Sequence, residues 1–220
     1  MPRGNRHGFR EFFPFATLVQ KRLSELYEPA GIRAEAIKTT VALDVSYSKD
    51  VAYTAAVVYR VSDSKVLEVQ REEYGVHFPY IPGYLYMREA PAILRILAQV
   101  ESDYDVVLVD AHGRLHPRGA GLATIVGVLL DRPVIGIAKS LLTGEIRGRG
   151  EVRPIYLGEE VEGWYVRNGK AFYASPGNKI AVNEVRRWLR MRMNSYPKEL
   201  TEADLLSKKL RETSEAEGPS

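Results

Sequence analysis

Residues 106–109 (VVLV) and 134–137 (VIGI) have no polar side chain between them, and this limits the possible folds more than any other stretch of the chain. A strand that alternates polar and apolar residues leaves one face wet. A run with no alternation must be buried on both faces, as in a parallel sheet covered by helices on either side. Parallel neighbours need a crossover between them, and residues 121–130 (GLATIVGVLL) suit a crossover helix.

The period is different upstream. Residues 12–27 place Phe12, Phe15, Leu18, Val19, Leu23 and Leu26 at helical spacing, so an amphipathic helix is predicted ahead of the main fold. Residues 41–47, 51–61 and 66–73 are rich in β-branched and aromatic residues, with short polar turns between them, which predicts three consecutive antiparallel strands. After a turn at 79–83 (PYIPG), helical spacing returns over 85–100 through Ile93, Leu94, Leu97 and Val100, with Pro91 in its early part. Residues 145–174 are strand-like and broken by glycines, which predicts a hairpin excursion. Helices at about 180–193 and 202–212 follow, and 1–10 and 214–220 read as disordered tails. Three antiparallel strands, a helix, then strands alternating with helices describe an α/β chain with a mixed central sheet flanked by helices. That order is ribonuclease H-like, and residues 1–220 are expected to form one domain.

The chain has no cysteine, which excludes disulfides and thiolate metal sites and leaves carboxylates or imidazoles to hold any metal. Hard cations fit such a donor set. A net charge of +3 with clustered arginines, Arg147, Arg149 and Arg153, then Arg186, Arg187, Arg190 and Arg192, permits a polyanionic partner. No apolar run is long enough to span a membrane, and the first residues lack the apolar centre of a secretory signal, so a cytoplasmic protein is expected.

Four acids draw attention. Asp44 lies within a strand that disfavours Asp, opposite the face of Val41, Leu43 and Val45, where it is either functional or on a solvated outer face. Asp110 ends the apolar run at 106–109. Ligand sites gather at carboxyl ends of parallel strands, although a turn-forming acid would look the same. Glu89 stands early in a helix, where the dipole alone favours an acid. Asp204 fits the third position of a capping box opened by Thr201. Brought together, four carboxylates repel, by roughly 4 kcal/mol for a pair about 4 Å apart at an effective dielectric near 20, and would need cations to stay ionised. Such a cluster suits metal-assisted phosphodiester hydrolysis.

The blocks that carry these acids resemble, in order, the motifs of the endonuclease V family. They are VALDVS at 41–46, PYIPG at 79–83 followed by Arg88-Glu89, DAHGRLHPR at 110–118, GIAKS at 136–140 and SPG at 175–177. The resemblance implies that Asp44, Asp110 and Glu89 hold the metal, that Asp204 completes the cluster, and that Lys139 and His116 act near the phosphate. It also implies a wedge and base pocket built from Tyr80, Ile81, Pro82, Gly83, Leu85, Ala111, Gly136 and Ala138. The family often has Gly in place of Ala111 and varies at His112 and Asp204. Read from the residues alone, Tyr80 packs on the core as readily as it serves as a wedge.

The implied activity is a Mg²⁺-dependent endonuclease, with Mn²⁺ able to substitute, that recognises deaminated adenine. It would cut the second phosphodiester on the 3′ side, leaving 3′-hydroxyl and 5′-phosphate ends. Deoxyinosine-containing DNA is the expected partner and inosine-containing RNA the other candidate, with the protein a monomer. A ribonuclease H-like junction resolvase would share the acids without needing the segment at 79–83, and a silent nucleic-acid-binding module would not need the acids.

Overall fold

The computed structural model describes residues 11–217, so the expected tail at 1–10 and residues 218–220 lie outside it. Its centre is a nine-stranded sheet in the order β3-β2-β1-β4-β5-β9-β8-β7-β6. The elements are α1 (Phe12–Glu25), a 3₁₀ turn (Ala34–Ala36), β1 (Thr39–Ser48), β2 (Val51–Arg60), β3 (Lys65–Gly75), α2 (Leu85–Leu97), β4 (Val106–Val109), α3 (Leu122–Leu130), β5 (Val134–Ala138), β6 (Glu145–Ile146), β7 (Val152–Leu157), β8 (Glu160–Asn168), β9 (Lys170–Asn178), α4 (Val182–Met191) and α5 (Lys198–Glu217). β1, β2 and β3 pair antiparallel, and β1–β4 and β4–β5 pair parallel. This is the mixed sheet expected of a ribonuclease H-like fold.

Alternate residues of the central strands feed two cores. Val41, Leu43, Val107 and Val109 pack with Tyr86, Ile93 and Ile96 of α2 and with Ile125 and Val126 of α3. Ala42, Val106, Leu108, Ile135 and Ile137 pack against Trp188, Leu189, Leu200 and Ala203 of α4 and α5. The apolar runs at β4 and β5 are therefore covered on both sides. β5 carries Gly136 because a Cβ there would stand 2.4 Å from the Ala111 carbonyl oxygen. That close approach brings the loop after β4 down onto β5.

Four expectations need correction. The stretch 145–174 is not an excursion: β9 pairs antiparallel with β5, so β6 to β9 extend the main sheet, and Ser175-Pro176-Gly177 lies within β9. α5 begins at Lys198, not Thr201, so Asp204 is inside the helix and caps nothing. A buried ion pair accounts for the earlier start. Glu199, 0% exposed, accepts from Arg192 at 2.7 Å and from the Thr40 hydroxyl at 3.0 Å, which fixes the first turn onto α4 and β1. At its other end α5 runs on through Ser214 to Glu217, with the Tyr53 hydroxyl donating to Ser214 Oγ at 3.3 Å, so 214–217 is not a tail. Lastly, α1 turns most of its apolar stripe outward. Phe12, Phe15, Leu18 and Leu26 are more than half exposed, and the helix buries Ala16 and Gln20 instead.

Candidate active site

Two cavities meet at the carboxyl ends of β1, β4 and β5. The first, about 360 Å³, is lined by Asp44, Glu89, Asp110, Asp204, Lys139, Lys208 and Arg211 among others. Strand register explains the first pair. Leu43 lies opposite Val109 across parallel strands, so the next residues, Asp44 and Asp110, emerge side by side. α2 and α5 cover opposite faces of the sheet and bring Glu89 and Asp204 to the same end. All four acids singled out in the sequence thus share one cavity.

Asp44 is 8% exposed, which removes the outer-face alternative. Its Oδ2 accepts from the Ser207 hydroxyl at 2.6 Å, and the Ser46 hydroxyl donates to the Ser207 carbonyl at 2.9 Å, so two bonds hold α5 against β1 at the site. Burial pushes the Asp44 carboxyl up to about 6; the Ser207 hydroxyl opposes the rise, and the charges of Asp110 and Asp204 add to it. Burial likewise pushes Glu89 up to about 8, with the Tyr47 hydroxyl opposing and Asp44 and Asp110 adding. A helix dipole would have acted the other way, so the early-helix explanation of Glu89 is not what governs it.

The Lys139 ammonium donates to Asp110 and lies 3.8 Å from Asp204. Burial alone would lower its pKa, but the bond to Asp110 and the surrounding carboxylates raise it. Lys208 pairs with Asp204 at 2.6 Å. Among the described residues no three carboxylate or imidazole groups are already arranged to hold a metal ion. Lys139 provides the nearest counter-charge. The donor chemistry nevertheless fits a hard cation, because two of these acids resist ionisation where they stand and a divalent ion would relieve that.

The second cavity, about 260 Å³, shares Leu85, Asp110 and Lys139 with the first and adds Tyr80, Pro82, Gly83, Ala111, His112, His116, Leu122 and Ala138. Its size and largely apolar wall suit a planar base. Tyr80 is 66% exposed at its mouth, so it is not a core residue. Gly83 adopts φ +82°, a left-handed conformation that favours glycine, and turns the chain into α2. His116, for which the resemblance implies a role near the phosphate, lines this pocket and not the carboxylate cavity. It is buried, and that burial, with the Arg118 charge beside it, lowers it to about 4. Gly136 lies behind the pocket and Ile81 outside its lining.

Several site residues escaped the sequence reading. Ser207 and Lys208 lie three and four residues after Asp204, on the same face of a helix that the sequence does predict over 202–212, but neither residue was read as part of the site. Tyr47 and Tyr196 sit beside the acids; burial first, then those negative charges, raises both phenols. Of the second arginine cluster, Arg192 is used up in the buried pair with Glu199, and Arg187 pairs with Glu184 at 2.8 Å. In the first, Arg147 bonds Glu145 at 3.0 Å and lies 4.4 Å over the Tyr156 ring, while Arg153 lies 4.3 Å over Tyr165.

A family model described as Endonuclease V matches residues 21–205. The chain belongs to the endonuclease V family. It is 40% identical to an endonuclease V of Sulfolobus acidocaldarius over 80% of this chain and 85% of that one. One from Saccharolobus islandicus is 38% identical over 92% and 98%. The crystal structure of the Streptomyces avermitilis endonuclease V superposes with a TM-score of 0.81 at 28% identity, covering 91% of this chain and 94% of that one. The fold is shared with a Ciona intestinalis endonuclease V (TM-score 0.84, 23% identity, coverage 93% and 100%), solved in complex with a 24mer DNA containing an inosine followed by a ribo-adenosine. This member of the endonuclease V family is accordingly an endonuclease. Among its described residues no helix is long and apolar enough to cross a membrane.

Proposed function

We propose that this endonuclease recognises deaminated adenine and hydrolyses the second phosphodiester bond on its 3′ side, leaving 3′-hydroxyl and 5′-phosphate ends. The observation that carries the reading is the junction of the two cavities at Asp110 and Lys139: a base-sized pocket opens directly onto a carboxylate cluster. A base must leave the stack to enter such a pocket. The exposed Tyr80 ring, which lines this pocket, would fill the gap. Among the described residues no side chain caps the start of α2, and the Met87 N–H already meets the Tyr84 carbonyl, so the Leu85 and Tyr86 N–H groups would be the ones to meet a carbonyl oxygen of hypoxanthine where adenine carries an amine. A donor or acceptor mismatch in a buried site discriminates strongly.

Asp44, Asp110 and Glu89 would hold a Mg²⁺ or Mn²⁺ ion, which when bound supplies Lewis acidity and a lowered pKa for the attacking water. Glu89 would orient that water and Asp204 would complete the negative cluster. Lys139 would meet the phosphate. Water attacks phosphorus, the bond from phosphorus to the 3′ oxygen breaks, and that oxygen leaves with a proton, so the base stays attached to its sugar. Deoxyinosine-containing DNA is the substrate, acted on by a monomer whose whole chain works as one domain, a reading supported by the single continuous sheet. The test uses one inosine-containing strand made as DNA and as RNA, with Mg²⁺ or with a chelator. Cutting of DNA at the second bond in Mg²⁺ alone is expected. Equal cutting of an adenosine control, or cutting in chelator, would refute the reading.

A further inference from the structure

Gln20 is a polar side chain on the buried side of α1, 1% exposed, where packing alone would favour an apolar residue. Both ends of its amide are engaged: Oε1 accepts from Arg118 Nε at 2.6 Å and Nε2 donates to the Ala120 carbonyl at 2.5 Å. Arg118 in turn donates through Nη2 to the Gly83 carbonyl at 2.5 Å, and its guanidinium lies 4.5 Å over the Tyr84 ring. α1 holds that ring as well, with Phe13 stacked at 5.2 Å and the Thr17 and Tyr84 hydroxyls bonded at 2.7 Å. His116 joins from the other side. Its Nδ1 accepts the Arg118 backbone N–H at 3.2 Å. A neutral imidazole has one acceptor and one donor, so Nε2 carries the proton and faces the Gly83 carbonyl. The 3.4 Å approach of the Gln20 amide nitrogen to Nε2 is then packing.

Two donors therefore converge on one carbonyl at the turn between the Tyr80 segment and α2, and Gln20 sets the direction of one of them. We propose that Gln20 is a positioning residue for base selection. Through Arg118 it fixes the Gly83 carbonyl, and with it the backbone that walls the base pocket, which makes α1 part of the recognition apparatus. The inference rests on the base-reading function above, because a pocket wall matters to selectivity only if a base is read there.

The variant is Gln20→Met, which keeps length and burial but leaves Arg118 Nε and the Ala120 carbonyl unpartnered. The control is Leu23→Ala, a part-buried α1 residue packed on the core and outside this chain of bonds. Hydrogen exchange of the free protein should accelerate across 79–85 by about tenfold in Gln20→Met, the scale of one lost bond to a charged group, and stay unchanged there in Leu23→Ala. Single-turnover cleavage should show the inosine-to-adenosine rate ratio falling about tenfold in Gln20→Met, with the maximal rate at saturating strand and Mg²⁺ within about threefold of wild type. Unchanged exchange overturns the proposal and reduces Gln20 to packing. Accelerated exchange with an unchanged ratio overturns the claim on selectivity. Accelerated exchange in a protein whose wild type cuts both strands alike leaves the positioning intact and overturns the base-reading function instead.

Discussion

Replacing Tyr80 by alanine separates a wedge from a packing residue, because the two roles predict different substrates will suffer. The ring is 66% exposed, so its removal should change fold stability by about 0.5 kcal/mol or less, roughly 1–2 °C in melting temperature for a chain of this size. In a duplex the base must be unpaired and unstacked before it can enter the pocket, at a cost of a few kcal/mol. An aromatic ring stacked in the gap returns about 1–3 kcal/mol of that. A loss near the middle, about 2 kcal/mol, is roughly 30-fold in rate. A single strand has less stacking to lose, and its rate should fall by under about threefold. The assay is single-turnover cleavage of matched duplex and single-stranded inosine substrates, beside a thermal melt of each protein. Equal losses on both substrates would remove the wedge from this account.

Asp110→Asn should reduce cleavage at saturating Mg²⁺ to below about a tenth of wild type while leaving binding to an inosine-containing strand nearly intact, since phosphate and base contacts persist when chemistry is lost; gel shift and cleavage assays on one preparation decide it. Asp44 and Glu89 titrate at about 6 and about 8 in the folded chain against 3.8 and 4.5 unperturbed. The folded state thus binds more protons than the unfolded between those limits, and the metal-free protein should lose stability as pH rises through that window. Mg²⁺ favours the ionised acids and should raise the melting temperature more at about pH 8 than at about pH 5.5; equal increments would contradict the assignment. Arg147→Ala with Arg149→Ala should flatten the dependence of log affinity on log salt by about 1–2 without changing preference for inosine. A changed preference at constant slope would mean that the loop reads bases.

The central strands were legible because their burial is written in consecutive apolar residues, and Asp110 was legible because it ends one of them. Asp44 was found as an anomaly in a strand, but nothing local distinguished a buried acid from a wet one; that depended on α5, which lies on its face of the sheet and comes some 160 residues later. The start of α5 was misjudged because Thr201 and Asp204 satisfy a local capping pattern, while the actual start is set by Glu199 meeting Arg192 and Thr40 across the fold. α1 was recognised as a helix from its apolar stripe, but nothing in that stripe told that Ala16 and Gln20 are the residues it buries. The base pocket was legible only through family resemblance. Its walls come from α1, the 79–85 turn, the loop after β4 and β5, which no single window of sequence contains.

α5 follows every strand of the sheet in chain order and is the element that contributes Asp204, Ser207 and Lys208. A chain made from its N-terminus folds behind the ribosome, so the strands carrying Asp44 and Asp110 are available while the helix that closes over them is still to come. Until it docks, Asp44 has no Ser207 hydroxyl to orient it and the cluster is one carboxylate short. The cavity that gathers all four acids is thus complete only once the helix from Lys198 to Glu217 has packed against the sheet.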